Sequence, residues 1–342
     1  MSSITKVPTV RLGNSGLQIS KIILGMMSYG SSKWQPWVLD GDDACRQHVK
    51  ACLDRGIFTF DTADVYSNGQ SEEILGRVLK DLKVKREDVV ILTKCYFPVQ
   101  ENPSDPIGPP KKPNQGGLNR KHIFDAIKAS LKRLYMDYVD VLQCHRFDKN
   151  TPIEETMHAL HDVVQAGYAR YIGMSSCYAY QFAMMQNYAI NNRLTPFISM
   201  QNFYNAVYRE EEREMLPLLQ ELGVGCIPWS PLGRGYLARP VTDKSTSRAQ
   251  SDKHLSGMVG GEASASIAIN EAVHKLAQKK GVSMAQISLA WLLHKPNVNP
   301  IVGSTKLENI EDLVAAIDVK LSDEELKQIE EPYVPRAISG HT

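Results

Sequence analysis

Four ionisable residues stand where apolar runs break off. Asp61 ends the run Ile57–Phe60, Lys94 closes Asp88-Val-Val-Ile-Leu-Thr, His145 closes Tyr138-Val-Asp-Val-Leu-Gln-Cys, and Tyr66 follows Asp61 by five residues. A phenol has an unperturbed pKa of about 10, so unaided it gives up its proton reluctantly near neutrality. An ammonium beside it would stabilise the phenolate and pull that value down, and a carboxylate behind the ammonium would keep it charged and oriented. Tyr66, Lys94 and Asp61 suit those three roles. An imidazole at His145 could hydrogen-bond an oxygen on which negative charge develops. Taken singly, each residue also reads as a turn aspartate, a surface tyrosine or a strand-end cation.

The set gains meaning only if the fold gathers it. Continuous apolar runs are the pattern of strands buried on both faces, and the C-terminal ends of such strands share one rim in a parallel barrel. Val10–Ser20, with Gly-Asn-Ser-Gly between two alternating runs, predicts a hairpin that plugs the opposite end. Strands are expected over Lys21–Gly25, Ile57–Phe60, Asp88–Lys94, Tyr138–His145, Ala169–Gly173, Phe197–Gln201, Val224–Pro228 and Asn299–Val302. Helical patterns fall between nearly all of them: Asp43–Arg55, Ser71–Leu82 with Ser71 as N-cap and Glu72 and Glu73 in the first turn, Lys121–Leu134, a helix opened by Thr151-Pro152, Tyr178–Asn191, Glu210–Leu222, Ala265–Lys280, Ser283–His294 and Leu307–Ile317. Eight alternations predict an α/β fold of the (β/α)8 TIM barrel type, with an N-terminal β-hairpin, and not an open doubly wound sheet. No composition break divides residues 1–342, so one domain is expected. Two long irregular stretches, Pro98–Gly117 and Ser230–Glu262, read as rim loops, the first placed to cover a substrate.

Composition excludes several classes of function. With 39 basic against 38 acidic residues the net charge is +1, which gives no broad field for nucleic acid or an anionic membrane. The N-terminus lacks the apolar core of a signal peptide and no run approaches bilayer-spanning length, so a cytoplasmic protein is expected, with a monomer as the default. The six cysteines form no C-x-x-C pair and read as free thiols. His158 and His161 lie three apart on a helix but have no carboxylate-histidine constellation about them, so no metal site is expected. There is also no G-x-G-x-x-G, so any dinucleotide would be held without the Rossmann device.

Asp61-Thr-Ala-Asp-Val-Tyr66, a lysine ending the third strand and a histidine ending the fourth resemble the signature pieces of the aldo-keto reductases, in the right order. The likeness runs from Arg11-Leu-Gly to Ile301-Val-Gly-Ser-Thr-Lys306. The local wording around Met26-Met27, Trp34, Tyr96-Phe97-Pro98 and Trp229-Ser-Pro-Leu-Gly233 is most similar to the fungal aryl-alcohol dehydrogenase type. The resemblance implies an NADP(H)-dependent oxidoreductase that reduces aldehydes or ketones, aromatic ones among them, with Tyr66, Lys94, Asp61 and His145 as its catalytic tetrad. It implies that Ser175 and Gln201 hold the nicotinamide carboxamide, with Ser176 where many relatives have asparagine, and that Trp229 stacks on the ring. Gly25, Met26, Met27 and Asp61 would border the cofactor. Ser230, Pro231, Leu232, Gly233 and Gly235 would run under the pyrophosphate, where glycine lets backbone approach phosphate. Gly303, Ser304, Thr305 and Lys306 open the last helix, whose N-terminus favours anions, and with Asn309 would grip the adenosine 2′-phosphate. Asn309 and Leu313 depart from the residues common there, which leaves NAD(H) conceivable. Tyr29, Trp34, Tyr96, Phe97 and Phe147 follow or flank strand ends and could line a pocket for flat carbonyls. Two other readings stand beside this one: a barrel lyase using Lys94 as a Schiff-base nucleophile, and a non-catalytic NADP-binding subunit of a membrane protein.

Overall fold

The computed structural model describes residues 6–243, 258–260 and 263–341. A hairpin comes first, β1 (Thr9–Arg11) pairing antiparallel with β2 (Gln18–Ser20). β3 (Ile23–Gly25) and a two-residue parallel pair, β4 (Tyr29–Gly30) with β5 (Leu39–Asp40), follow. Helices and strands then alternate: α1 (Asp43–Asp54), β6 (Thr59–Asp61), α2 (Gln70–Asp81), β7 (Val90–Cys95), α3 (Arg120–Leu134), β8 (Val139–Cys144), α4 (Ile153–Gln165), β9 (Ala169–Ser175), α5 (Ala179–Asn191), β10 (Phe197–Gln201), α6 (Met215–Leu222) and β11 (Gly225–Cys226). After α7 (Ser264–Lys280) and α8 (Met284–His294) come β12 (Ile301–Val302), α9 (Leu307–Ala315) and α10 (Asp323–Glu330).

Eight strands pair in parallel in the order β11-β10-β9-β8-β7-β6-β3-β12. The ends meet because Cys226 N–H donates to Asn297 O at 2.9 Å and Asn299 N–H to Cys226 O at 2.8 Å, which closes the sheet into the expected (β/α)8 barrel. Leu12 and Ile19 of the hairpin are fully buried in one cluster with Ile23, Leu92, Val141 and Ile227, so the hairpin fills one end of the barrel, as the alternating runs predict. Gly13 makes this docking possible. It has φ +57°, and a Cβ there would lie 2.5 Å from the carbonyl oxygen of Gly223. Cys45, Cys52, Cys95, Cys144, Cys177 and Cys226 are all free and buried, as expected.

Several local expectations are corrected. Ser71 is not an N-cap: α2 starts at Gln70 after Gly69 at φ +98°. The Ser71 hydroxyl instead donates to Met26 O at 2.8 Å and pairs with Thr62 Oγ1. Glu72 stands in the first turn of α2, as expected, with Glu73 beside it. Glu72 is fully buried and accepts from Thr93 Oγ1 at 2.5 Å and Arg133 Nε at 2.6 Å, which ties α2 to β7 and α3. Pro152 occupies the N-cap of α4, since Thr151 Oγ1 donates to Asp148. The helix expected over Glu210–Leu222 is a 3-10 turn, Glu210–Glu212, and then α6, because the glutamates bond sideways to Asn202, Tyr204 and Tyr333. α10, β4 and β5 were not anticipated.

Gly76 on α2 sets the approach of α3. A Cβ at that position would lie 2.4 Å from the backbone oxygen of Leu134. Although alanine is the better helix former, Gly76→Ala is expected to cost about 1–3 kcal/mol by forcing the helices apart. Urea denaturation checks it: a lower midpoint agrees, and an unchanged or higher one contradicts the close contact.

Candidate active site

The barrel brings the strand-end residues to one rim. Asp61 is the last residue of β6, Lys94 lies one before the end of β7, His145 one past the end of β8, and Ser175 and Gln201 end β9 and β10. Lys94 has no exposed surface and spends its three ammonium protons on Asp61 Oδ2 at 2.6 Å, Thr62 O at 2.8 Å and Tyr66 Oη at 3.2 Å. Asp61 is fixed from the other side: its Oδ1 accepts from Gln143 Nε2 and Gln201 Nε2, both at 2.9 Å. Tyr66 therefore sits at the end of a carboxylate-ammonium-phenol chain, with its own proton left to point into the cavity.

Electrostatics refine the sequence reading. Burial pushes the Lys94 pKa down, but Asp61 and Tyr66 outweigh it, so the ammonium is held charged above its usual range. Burial raises the Tyr66 phenol, and Lys94 offsets only part of that. The expected lowering of the Tyr66 pKa is thus corrected: the phenol keeps its proton across neutrality. Burial, then the charges of Arg146 and Lys94, hold His145 well below the ordinary histidine range, so the ring is neutral. Its Nδ1 is buried without a partner. An unpaired lone pair costs less there than an unpaired N–H, which assigns the proton to Nε2. The ring lies 5.9 Å from that of Tyr66, edge to face.

These groups open onto one cavity of about 1380 Å³. That exceeds the few hundred to roughly 1,000 Å³ of an ordinary small-ligand pocket, leaving room for a dinucleotide and a second ligand together. Its lining takes in Asp61, Tyr66 and His145, then Gly25, Met26, Met27, Ser175, Gln201 and Trp229, and Ser230, Pro231, Leu232 and Gly235. Gly303, Ser304, Thr305, Lys306 and Asn309 line it as well. Trp229 stacks one face on Phe203 at 4.6 Å. Ser304 closes its own turn, its hydroxyl donating to Lys306 O and accepting from Lys306 N–H, so its side chain is not free for a ligand.

Two expected cofactor residues lie elsewhere. Ser176 is fully buried at φ +47° and accepts from Trp229 Nε1 at 3.2 Å, so it positions the indole and does not border the cavity. Gly233, at φ +55°, packs against Val207 and Val259 beneath the loop. Of the aromatic pocket residues, Trp34 and Phe97 face the cavity and the other three do not. Tyr29 is fully buried and hydrogen-bonds His48 Nδ1 at 2.8 Å. Tyr96 packs edge-on behind Phe97, and Phe147 packs on the main core. His158 and His161 pair with Tyr188 and Thr195.

Sequence reasoning missed Gln143, Trp37, Arg146, Arg234, Arg239 and Gly340. Gln143 bonds Asp61, and the other five line the cavity. Gln143 had a signal, being polar within an apolar run and two residues before His145, hence on the same face. The loop Pro98–Gly117 is moored to the turn after Tyr66, since Asn68 Nδ2 donates to Asn102 O and Asp105 O, and it contributes Ile107 to the wall.

A closed parallel barrel with this rim is the architecture of a carbonyl oxidoreductase, and the model of the Aldo/keto reductase family matches residues 21–333. The chain belongs to the aldo/keto reductase family. It is 50% identical over 337 residues to a versiconal hemiacetal acetate reductase of Aspergillus parasiticus, covering 96% of this chain and 97% of that one. It is 46% identical over 353 residues to a putative aryl-alcohol dehydrogenase of Schizosaccharomyces pombe, covering 99% of both. A putative aryl-alcohol dehydrogenase of Saccharomyces cerevisiae is likewise 46% identical over 345 residues, with 96% and 98% covered.

Proposed function

We propose that this oxidoreductase reduces aldehydes and ketones, aromatic ones among them, with NADPH as the preferred cofactor and Tyr66 as the proton donor. The observation that carries the reading is the Asp61–Lys94–Tyr66 chain, at 2.6 and 3.2 Å, ending in a phenol that opens on the cavity. A bound NADPH would supply a hydride to the carbonyl carbon. The carbonyl π pair moves onto oxygen, and that oxygen takes the Tyr66 proton while Lys94 stabilises the phenolate left behind. His145 Nε2–H donates to the same oxygen and orients the carbonyl. In the reverse direction Tyr66 takes the proton from an alcohol.

The pocket fits the cofactor on its own terms. Gln201 commits its Nε2 to Asp61 and Gln143, which leaves its carbonyl oxygen to accept from a carboxamide. Trp229 offers an aromatic surface beside Ser175 and Gln201 in the same lining. Arg234, Arg239 and Lys306 put three cationic side chains into the same lining, suited to phosphate. Trp34, Trp37 and Phe97 supply apolar surface for a flat substrate. The raised pKa of Lys94 argues against the Schiff-base lyase, whose lysine must be neutral to attack.

Assay of a panel of aromatic and aliphatic aldehydes with NADPH and NADH side by side tests this. NADPH consumption with aryl aldehydes is expected, and a panel that consumes neither cofactor refutes the reading. Lys306→Ala is expected to raise the KM for NADPH roughly tenfold, as loss of a charge-assisted contact, with a much smaller change for NADH. Equal effects on both cofactors would remove Lys306 from the 2′-phosphate site.

A further inference from the structure

Arg146 follows His145 on the rim and lines the cavity beside Tyr66, Trp34 and Phe97. It is half-buried, and its one hydrogen bond runs from Nη1 to the backbone oxygen of His145 at 2.6 Å. The guanidinium lies 5.6 Å from the centre of the Phe97 ring. Its remaining N–H donors meet no acceptor among the described residues.

Three arginines whose side chains are four-fifths or more covered are treated differently. Arg86, Arg133 and Arg209 each pair with a carboxylate, at 2.6 Å in every case. A guanidinium withdrawn from water loses hydration and is normally compensated in this way. Arg146 has no such partner, and burial lowers its pKa with only Tyr66 and Tyr96 opposing. The four N–H donors left on a planar guanidinium that lines the cavity, with no carboxylate of the protein to meet them, suit the oxygens of an anionic ligand.

We propose that Arg146 is a specificity-determining residue that selects aromatic carbonyl substrates bearing a second, ionised oxygen group, a carboxylate or phenolate. This rests on the reductase reading above. The carbonyl oxygen lies toward Tyr66 and His145, and the ionised group meets Arg146 on the Phe97 side, with the aromatic ring between them. The anion supplies the compensation that the folded protein lacks, and its position fixes which carbonyl reaches Tyr66.

The test compares 3-carboxybenzaldehyde with its methyl ester, methyl 3-formylbenzoate, which keeps the ring and the aldehyde and removes the charge. The wild-type enzyme is expected to favour the carboxylate in kcat/KM by roughly tenfold to a hundredfold, the range of a charge-assisted hydrogen bond. In Arg146→Met that ratio falls to about one, mostly through KM, and Arg146→Lys recovers part of it. Should Arg146→Met fail to fold, the wild-type salt dependence decides: KM for the carboxylate rises with ionic strength and that for the ester does not. Turnover of the ester with no preference for the carboxylate overturns the role of Arg146 and leaves the reductase reading intact. A ratio unchanged in Arg146→Met does the same. Failure of both aldehydes with either cofactor refutes the reductase reading itself.

Discussion

Tyr66→Phe is expected to lower kcat for aldehyde reduction by roughly 10²–10⁴-fold, the range supplied by a positioned general acid, with the Kd for NADPH within about twofold of wild type. The expectation follows from position. The hydroxyl accepts a hydrogen bond from the Lys94 ammonium at 3.2 Å and lines the cavity. Removing one oxygen leaves the Asp61–Lys94 pair and the cofactor wall in place. Steady-state kinetics and fluorescence titration with NADPH separate the two effects. Wild-type turnover in Tyr66→Phe would make another group the donor.

The raised phenol pKa gives the same residue a pH signature. Reduction needs the neutral phenol, which persists through neutrality because burial outweighs Lys94, so its rate should stay flat from about pH 6 to about pH 8. Alcohol oxidation needs the phenolate, so its rate should climb with pH over the same interval. A reduction rate that falls steeply across neutrality would show that the phenol ionises there and that Lys94 prevails over burial.

Lys94→Met is expected to cost about 3–5 kcal/mol of stability besides abolishing turnover, because it leaves the Asp61 carboxylate buried without its counter-charge. Asp61 is 2% exposed and Lys94 is fully buried, so solvent cannot replace the lost partner. Gln143 and Gln201 would still bond Oδ1, but neutral donors do not balance a charge. The double variant Asp61→Asn with Lys94→Met removes both charges and should regain most of the stability with none of the activity. Guanidinium denaturation of both variants makes the comparison. A single variant as stable as wild type would mean that the pair does not carry its charges in the folded protein.

What could be read from the sequence depended on pattern length. β7 and β8 are long enough for an apolar run to end visibly at a polar residue, so Lys94 and His145 stand out, and Asp61, with Tyr66 five residues on, ends a shorter run of its own. The barrel count survived although several strands are only two or three residues long, because the turns and helices between them repeat. Side-chain direction after a strand was not legible. Tyr29 and Tyr96 stand as close to strand ends as Trp34 and Phe97, yet the former turns inward to His48 and the latter packs behind its neighbour. Arg146, Arg234 and Arg239 belong to segments without periodicity, where only the fold shows that they line the same cavity as Trp229. The opposition of burial and Lys94 at Tyr66 was equally hidden, since a sequence shows the charge and not the depth.

If hydride passes from a nicotinamide to a carbonyl carbon at this rim, isotope transfer shows it most directly. With NADPH deuterated at both C4 positions and an aryl aldehyde in ordinary water, the alcohol should carry one deuterium on its carbinol carbon and none on oxygen after work-up. Alcohol formed without deuterium on carbon, or no alcohol formed at all, would contradict it.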